Sequence, residues 1–218
     1  MIKRSLPGMR RAVVVLLALA GSSLLPIQTA AGNANVPPGV ASLLPATAVL
    51  DSGDWGVFDT DVDKTFSGGM RAGFPGRAMS CDSTVGPELR VELKGDTAWE
   101  EPPMLDMAVA MHESDIAAAR KSLPAHVANL RKTNSGVRSV GTLQEEHLPN
   151  GELLYIAYDE DCARHPNGTN TVLRAFARKG ATMLRIELWI SAAPAEATTL
   201  ARDMLARFEN FDVAAMTK

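Results

Sequence analysis

The chain has 218 residues, of which 46% are hydrophobic and 22% are charged, enough apolar material for one domain with its own core. Four of the 22 lysines and arginines precede Asn35 and none of the 25 acidic residues does, so the chain after residue 34 has 18 positive and 25 negative side chains, a net charge of −7. This acidity argues against binding to nucleic acid or to anionic membranes, because Lys and Arg drive phosphate binding.

The N-terminus has the layout of a bacterial secretory signal peptide. Its basic residues are Lys3, Arg4, Arg10 and Arg11. Residues 12–20 then form an unbroken apolar run, and small residues follow at the −3 and −1 positions of two cleavage sites. We predict that residues 1–34 are a signal peptide cleaved after Ala31 or Ala34, which places the protein in the periplasm or outside the cell.

An uncleaved membrane anchor is the alternative. Residues 12–31 nearly reach the roughly 20 residues that cross a bilayer. Pro26 and Gln28 interrupt that span, and no cysteine follows it closely enough to carry a lipid, since the first is Cys81. We therefore expect no stable membrane insertion after cleavage.

The remaining chain is predicted to be a flexible lead-in over 35–50, rich in Ala, Pro and Asn, and a single α+β domain over 51–218. The two cysteines of the chain are Cys81 and Cys162. In an oxidising compartment an even pair predicts a disulfide, and a loop this long stabilises by about 4–5 kcal/mol in the chain-entropy model. Two unrelated buried thiols are the alternative.

The first half of the domain predicts strands and one helix. Weak strand patterns cover 70–74 and 89–93, and an apolar–polar alternation predicts a strand over 105–111. Ser114 then has the character of a helix N-cap, and the apolar face of the helix to about Lys132 consists of Ile116, Leu123, Val127 and Leu130. Pro124 is expected to kink or split this helix.

The second half predicts a meander of four strands over 137–146, 152–160, 171–178 and 182–190. Pro149-Asn150-Gly151, Pro166-Asn167-Gly168 and Lys179-Gly180 are the turn signals between them. Ser191 is expected to cap a last helix with Pro194 in its first turn. The residues of that helix that face inward are Leu200, Met204, Leu205 and Phe208.

Strands linked by hairpins are antiparallel, since parallel neighbours need long crossovers. The predicted fold is therefore α+β: an antiparallel sheet made of the C-terminal meander and the N-terminal strands, with two main helices on its apolar face. This element order over residues 50–212 resembles the PsbP-like group of small exported proteins, which implies assembly factors and binding proteins more often than enzymes. Periplasmic immunity proteins against secreted toxins are similar in composition.

Two acidic runs are candidate partner-binding sites. Asp59, Asp61 and Asp63 open like a calcium loop, but Lys64 stands at the turn glycine and Met70 at the bidentate Glu, which favours a solvated acidic loop. The second run is Asp159, Glu160 and Asp161. With Cys162 and His165 it could supply zinc ligands, but a polar turn beside a disulfide is the interpretation we prefer.

No catalytic residue is predicted. The scattered histidines His112, His126 and His147 are read as surface or capping residues, and the sequence lacks the hydrolase and phosphate-loop motifs. Met104, Met107 and Met111 fit either a binding surface or, preferably, core packing. Trp55, Trp99 and Tyr158 could be contact anchors.

These observations predict a non-catalytic protein-binding accessory, inhibitor or immunity-type protein, without metal or cofactor, whose partner has a basic surface. A small-molecule or lipid binder, with a pocket between sheet and helix, is the alternative. A hydrolase ranks last.

Overall fold

Long antiparallel strands and one 32-residue helix make up most of the structure. The computed structural model describes residues 38–50, 56–60, 65–73, 88–96, 102–161 and 168–212. The helices in these ranges are α1 (Pro38–Ala41), α2 (Pro102–Thr133) and α3 (Pro194–Glu209). The strands are β1 (Val49–Leu50), β2 (Gly56–Thr60), β3 (Thr65–Gly73), β4 (Glu88–Asp96), β5 (Val137–Val140), β6 (Gln144–Leu148), β7 (Gly151–Glu160), β8 (Gly168–Lys179) and β9 (Thr182–Ile190).

The described strands form one sheet in the order β1-β3-β4-β9-β8-β7-β5, with β2 beside β3 and β6 beside β7. Every pairing is antiparallel, so the predicted α+β class is confirmed. The upstream strands join the meander because β4 pairs with β9 from Glu88 opposite Trp189 to Lys94 opposite Met183. Gly180, with a φ of 57°, supplies the left-handed residue of the turn between β8 and β9.

The predicted first meander strand, 137–146, is two strands. β5 pairs with the last residues of β7 and β6 with its first residues. Residues 141–143 lie between them, and the Gly141 N–H donates to the Ala157 carbonyl at 2.8 Å. A Cβ at position 141 would lie 3.0 Å from that oxygen, so glycine suits this close crossing.

The predicted strand over 105–111 is wrong, because these residues belong to α2. Met, Leu and Ala are strong helix formers, and only Val109 in this stretch is β-branched. Pro102 and Pro103 suit the first turn of the helix, where the missing N–H costs nothing. The helix runs on through Pro124 as one element, so Pro124 does not split it. No helix in the described ranges has both the length and the apolarity to cross a membrane.

The last helix is confirmed as α3. Met204, Leu205 and Phe208 are buried, and Leu200 packs partly buried against the same core. Its N-cap is Ala193, without a side-chain cap, rather than Ser191. Pro194 stands directly after the cap, where its fixed φ already fits the helix.

The two main helices pack on opposite faces of the sheet. Leu153, Leu173 and Leu188 belong to the core that α3 covers, which we call the α3 core. Their chain neighbours Leu154 and Val172 belong to a second core under α2, the α2 core. Successive strand residues point to opposite faces, so the sheet is a middle layer between helices. The expectation of one apolar face covered by both helices is therefore wrong.

Part of the predicted flexible lead-in is a packed segment. Val40 and Leu43 are fully buried and Leu44 nearly so, all in the α3 core. Arg207 of α3 donates from Nη1 to the Leu44 carbonyl at 2.7 Å, and β1 pairs with the end of β3. Residues 38–50 thus belong to the domain, since the apolar side chains among them complete the core beside α3.

Candidate functional site

The acidic run at the end of β7 does not act as one patch. Asp159 is exposed, and its two oxygens accept hydrogen bonds from Ser139 Oγ at 2.6 Å and Thr169 Oγ1 at 3.0 Å. These hydrogen bonds hold the pKa of Asp159 below its usual range. Asp161 is half-buried and forms an ion pair with Arg138. Asp159 is therefore an oriented, charged carboxylate at the surface, whereas Asp161 is neutralised by its neighbour.

Glu160 faces inward and is only 1% exposed. Asn134 Nδ2 donates to one of its oxygens at 2.6 Å and Asn170 Nδ2 to the other at 3.3 Å. Burial, together with the charge of Glu160, raises the pKa of Tyr158 to about 12. Glu160 thus joins the turn between α2 and β5 to β7 and β8, and it does not present a carboxylate to a partner. Tyr158 is equally unsuited as a contact anchor, since it is 5% exposed.

The other predicted sites lie mostly outside the described residues. Asp59 lies in β2, in register with Ser67 of β3, while Asp61 and Asp63 are outside the described ranges. The predicted disulfide between Cys81 and Cys162 is also outside them, as is His165. In the part of the chain that the structure describes, no three potential metal ligands cluster together.

A polar network connects α2 to the sheet. The ring of His126 packs edge-on against Trp189 of β9, with ring centroids 4.5 Å apart and an interplanar angle of 86°. Trp189 Nε1 donates to Glu187 Oε1 at 3.2 Å, and Arg174 Nη2 lies 3.4 Å from the same oxygen. Arg174 Nη1 donates to Ser122 Oγ on α2 at 2.7 Å. This His126 network fixes α2 over β8 and β9.

Near neutral pH the His126 network favours an uncharged His126 and an ionised Glu187. Burial lowers the pKa of His126, and the Arg174 guanidinium lowers it further. Burial opposes ionisation of Glu187, but the charge of Arg174 and the hydrogen bonds from Trp189 and Arg174 outweigh it and lower the pKa of Glu187. A general base needs a proton donor within hydrogen-bond reach. Among the described residues, the partner of His126 is an indole ring, so the network favours a structural role.

His112 lies nearer the start of α2, and its ring packs edge-on against Phe176 of β8 with ring centroids 6.4 Å apart. Burial and the charge of Arg178 lower its pKa. The cavity beside it, which Glu92 and Arg185 also line, has a volume of about 10 Å³. That space holds one water at most, so a substrate does not fit there.

A larger cavity of about 460 Å³ opens at the turn end of the sheet. Its apolar walls include Leu148, Ala177 and Leu205, and Lys179 and Arg202 also line it. Both cations already have partners: Lys179 Nζ donates to the Phe211 carbonyl at 2.7 Å, and Arg202 binds Glu146 through two hydrogen bonds. The cavity has the size of a small-molecule site, but it contains none of the histidines.

Two methionines of α2 are exposed, whereas the sequence interpretation preferred core packing for them. Met107 is 57% and Met111 45% exposed, whereas Ile116 and Leu123 on the opposite side are buried. The exposed positions continue along α2 at alternating spacings of four and three residues. This outer face of α2 consists of Met107, Met111, Ser114, Ala118, Lys121, Ala125 and Ala128. The same spacing in the sequence could have indicated it, had 105–111 been read as helix.

No protein-family model and no curated protein matches this chain. The extracellular domain of PknH from Mycobacterium tuberculosis is similar over 68% of this chain and 67% of its own, with 9% identity and a TM-score of 0.37. The Ran-binding protein Mog1p of Saccharomyces cerevisiae is similar over 80% of this chain and 85% of its own, with 12% identity and a TM-score of 0.27. Neither likeness bears on function, because both TM-scores are low.

Proposed function

We propose that this protein is exported to the bacterial periplasm and binds another protein without catalysing a reaction, as an accessory, inhibitor or immunity-type protein. The observation that carries the proposal is the outer face of α2. Met107 and Met111 are the large hydrophobic side chains that stand exposed among the described residues. The signal peptide pattern supports export, and the element order supports a relation to PsbP-like proteins.

Exposed methionines of this kind favour a contact surface. The helix already buries Ile116, Leu123 and Val127 in the α2 core, so Met107 and Met111 contribute little to folding of the isolated chain. Methionine is flexible and polarizable, which suits it to protein interfaces, where it is enriched. The two side chains lie one helical turn apart and offer one continuous apolar surface.

Electrostatics supports a partner with a basic surface. Asp159 is exposed and stays ionised because of its two hydrogen bonds, and the predicted acidic loop with Asp59, Asp61 and Asp63 has the same sign. Changing these three aspartates together to Asn is expected to slow association with the partner and to weaken its salt dependence, since rim charges act mainly on the association rate.

A photo-crosslinking amino acid at Ser114, on the outer face of α2, tests the proposal in cells of the source organism. We expect a protein adduct at this position and a weaker one in the M107Q/M111Q variant. The control is the same amino acid at Thr199, an exposed position on α3. An absence of any protein adduct at Ser114, with the protein correctly exported, contradicts the proposal.

A small-molecule or lipid ligand is the second candidate, and the cavity of about 460 Å³ favours it. Its apolar walls suit a small apolar or amphipathic molecule. Native mass spectrometry of protein purified from the periplasm distinguishes the two. A stoichiometric bound mass that A206W, a change at an exposed lining residue, displaces supports the ligand, and its absence leaves protein binding as the function.

A further inference from the structure

The outer face of α2 has the repeat of a helix–helix contact. Its members follow each other at alternating steps of four and three residues from Met107 to Ala128, and this heptad spacing keeps a stripe facing one partner helix. The large side chains lie at one end and the small ones at the other. If two such helices cross antiparallel with Ala118 at the centre, Met107 lies opposite Ala128 and Met111 opposite Ala125.

The charges on and beside the outer face divide in the same way. The exposed acids Asp106 and Glu113 flank its methionine end, and the exposed bases Lys121 and Arg131 occupy its alanine end. Among the described residues, no hydrogen bond or ion pair engages any of these four side chains, and Glu113 acts on His112 only through its charge. The antiparallel arrangement brings Asp106 of one copy near Arg131 of the other, and Glu113 near Lys121. One helix therefore carries both halves of a complementary contact, as a two-fold interface requires.

We propose that a second copy of this chain docks on the outer face of α2, so that two α2 helices pair antiparallel in a symmetric dimer. This proposal rests on the proposed function, in which the outer face of α2 binds protein, and it names the occupant. Methionine side chains of each copy cover the alanines of the other, because small residues allow the helices to approach closely. Four ion pairs, two from each copy, then flank the contact and fix its direction.

Charge exchange gives a test that a folding defect cannot imitate. In D106K/E113K all four of these residues are basic, and in K121E/R131E all four are acidic. We expect each variant alone to dimerise about tenfold or more weakly than the wild type, because all four pairs become like-charged. A 1:1 mixture is expected to recover the dimer, since every contact then joins opposite charges. The control for D106K/E113K is D203K/E209K, which makes the same net charge change on exposed residues of α3.

Sedimentation velocity of the mature chain measures these outcomes. Dimers of the wild type, of the control and of the mixture, with monomers of each exchanged variant, support the proposal. A wild type that remains monomeric at about 1 mM, where even a millimolar contact is well populated, overturns it. A dimer that the exchanges leave unchanged, or a mixture that stays monomeric, also overturns it. If the dimer is absent but the Ser114 crosslink captures a different protein, the proposed function stands and only the identity of the occupant is wrong.

Discussion

Truncating two residues on opposite sides of α2 tests how this helix is oriented. Leu123 is fully buried in the α2 core, whereas Met107 is 57% exposed. A Leu→Ala change at a fully buried site removes transfer free energy and leaves a cavity, so we expect L123A to lower the free energy of unfolding by about 2–5 kcal/mol.

The same truncation at Met107 is expected to change that free energy by less than about 0.5 kcal/mol. Its side chain loses little burial in the monomer, and Ala has a higher helix propensity than Met. The large difference between the two variants follows from the helix. In the strand that the alternation over 105–111 predicts, Met107 would point into the core and its loss would be costly.

Urea unfolding, at a concentration low enough to keep the chain monomeric, provides the measurement. The midpoint of L123A is expected to fall well below that of the wild type at an unchanged m-value, while M107A stays close to the wild type. Equal destabilisation by L123A and M107A would show that Met107 is buried. The assignment of Met107 to an exposed outer face of α2 would then be wrong.

Four further substitutions have expected results. E160Q should cost about 1–3 kcal/mol, because one of its two asparagine partners then meets an amide donor in a buried site. G180A should cost about 1–2 kcal/mol through backbone strain alone, whereas G151A should cost more, since its Cβ would lie 2.5 Å from a backbone oxygen; thermal unfolding ranks the two. His126 has a folded pKa below its ordinary 6.5, so the unfolded chain binds more protons and stability falls as the pH drops below 6.5. H126Q should make this fall shallower in urea titrations at several pH values, and an unchanged slope would contradict the lowered pKa of His126.

The meander could be predicted because residues that favour tight turns separate its strands. Asn150-Gly151 and Gly180 mark tight turns, and β9 alternates between buried and half-buried residues from Leu184 to Ile190. Strand pairing then follows from chain order. The split of β5 from β6 was missed, because one glycine at position 141 gives no clear break in an otherwise β-rich stretch.

The placement of the helices could not be predicted as well. Alternating methionines over 105–111 imitate a strand when helix propensity is left out, so the exposed face was read as core. The position of α2 and α3 on opposite faces had one signal in β8. Val172 and Leu173 are adjacent and both buried, as are Phe176 and Ala177, and a strand with adjacent apolar residues has no solvent face.

Whether the residues of the predicted acidic site are exposed depends on which face of β7 each side chain lies on. Asp159 and Glu160 are neighbours in sequence, yet one is exposed and the other is 1% exposed. Sequence alone does not show which of the two points inward, because the register of β7 depends on pairing with β8. The residues that bind Glu160, Asn134 and Asn170, lie 26 and 10 positions away.

Methyl NMR of the methionines tests most directly whether the outer face of α2 is a protein contact. Met107 and Met111 report on that face, and the buried Met183 and Met204 are internal controls. As the mature protein is concentrated from dilute solution, we expect the signals of Met107 and Met111 to shift and those of Met204 and Met183 to stay in place. Unchanged signals from Met107 and Met111, in a sample that is shown to bind its partner or itself, would contradict the proposed contact.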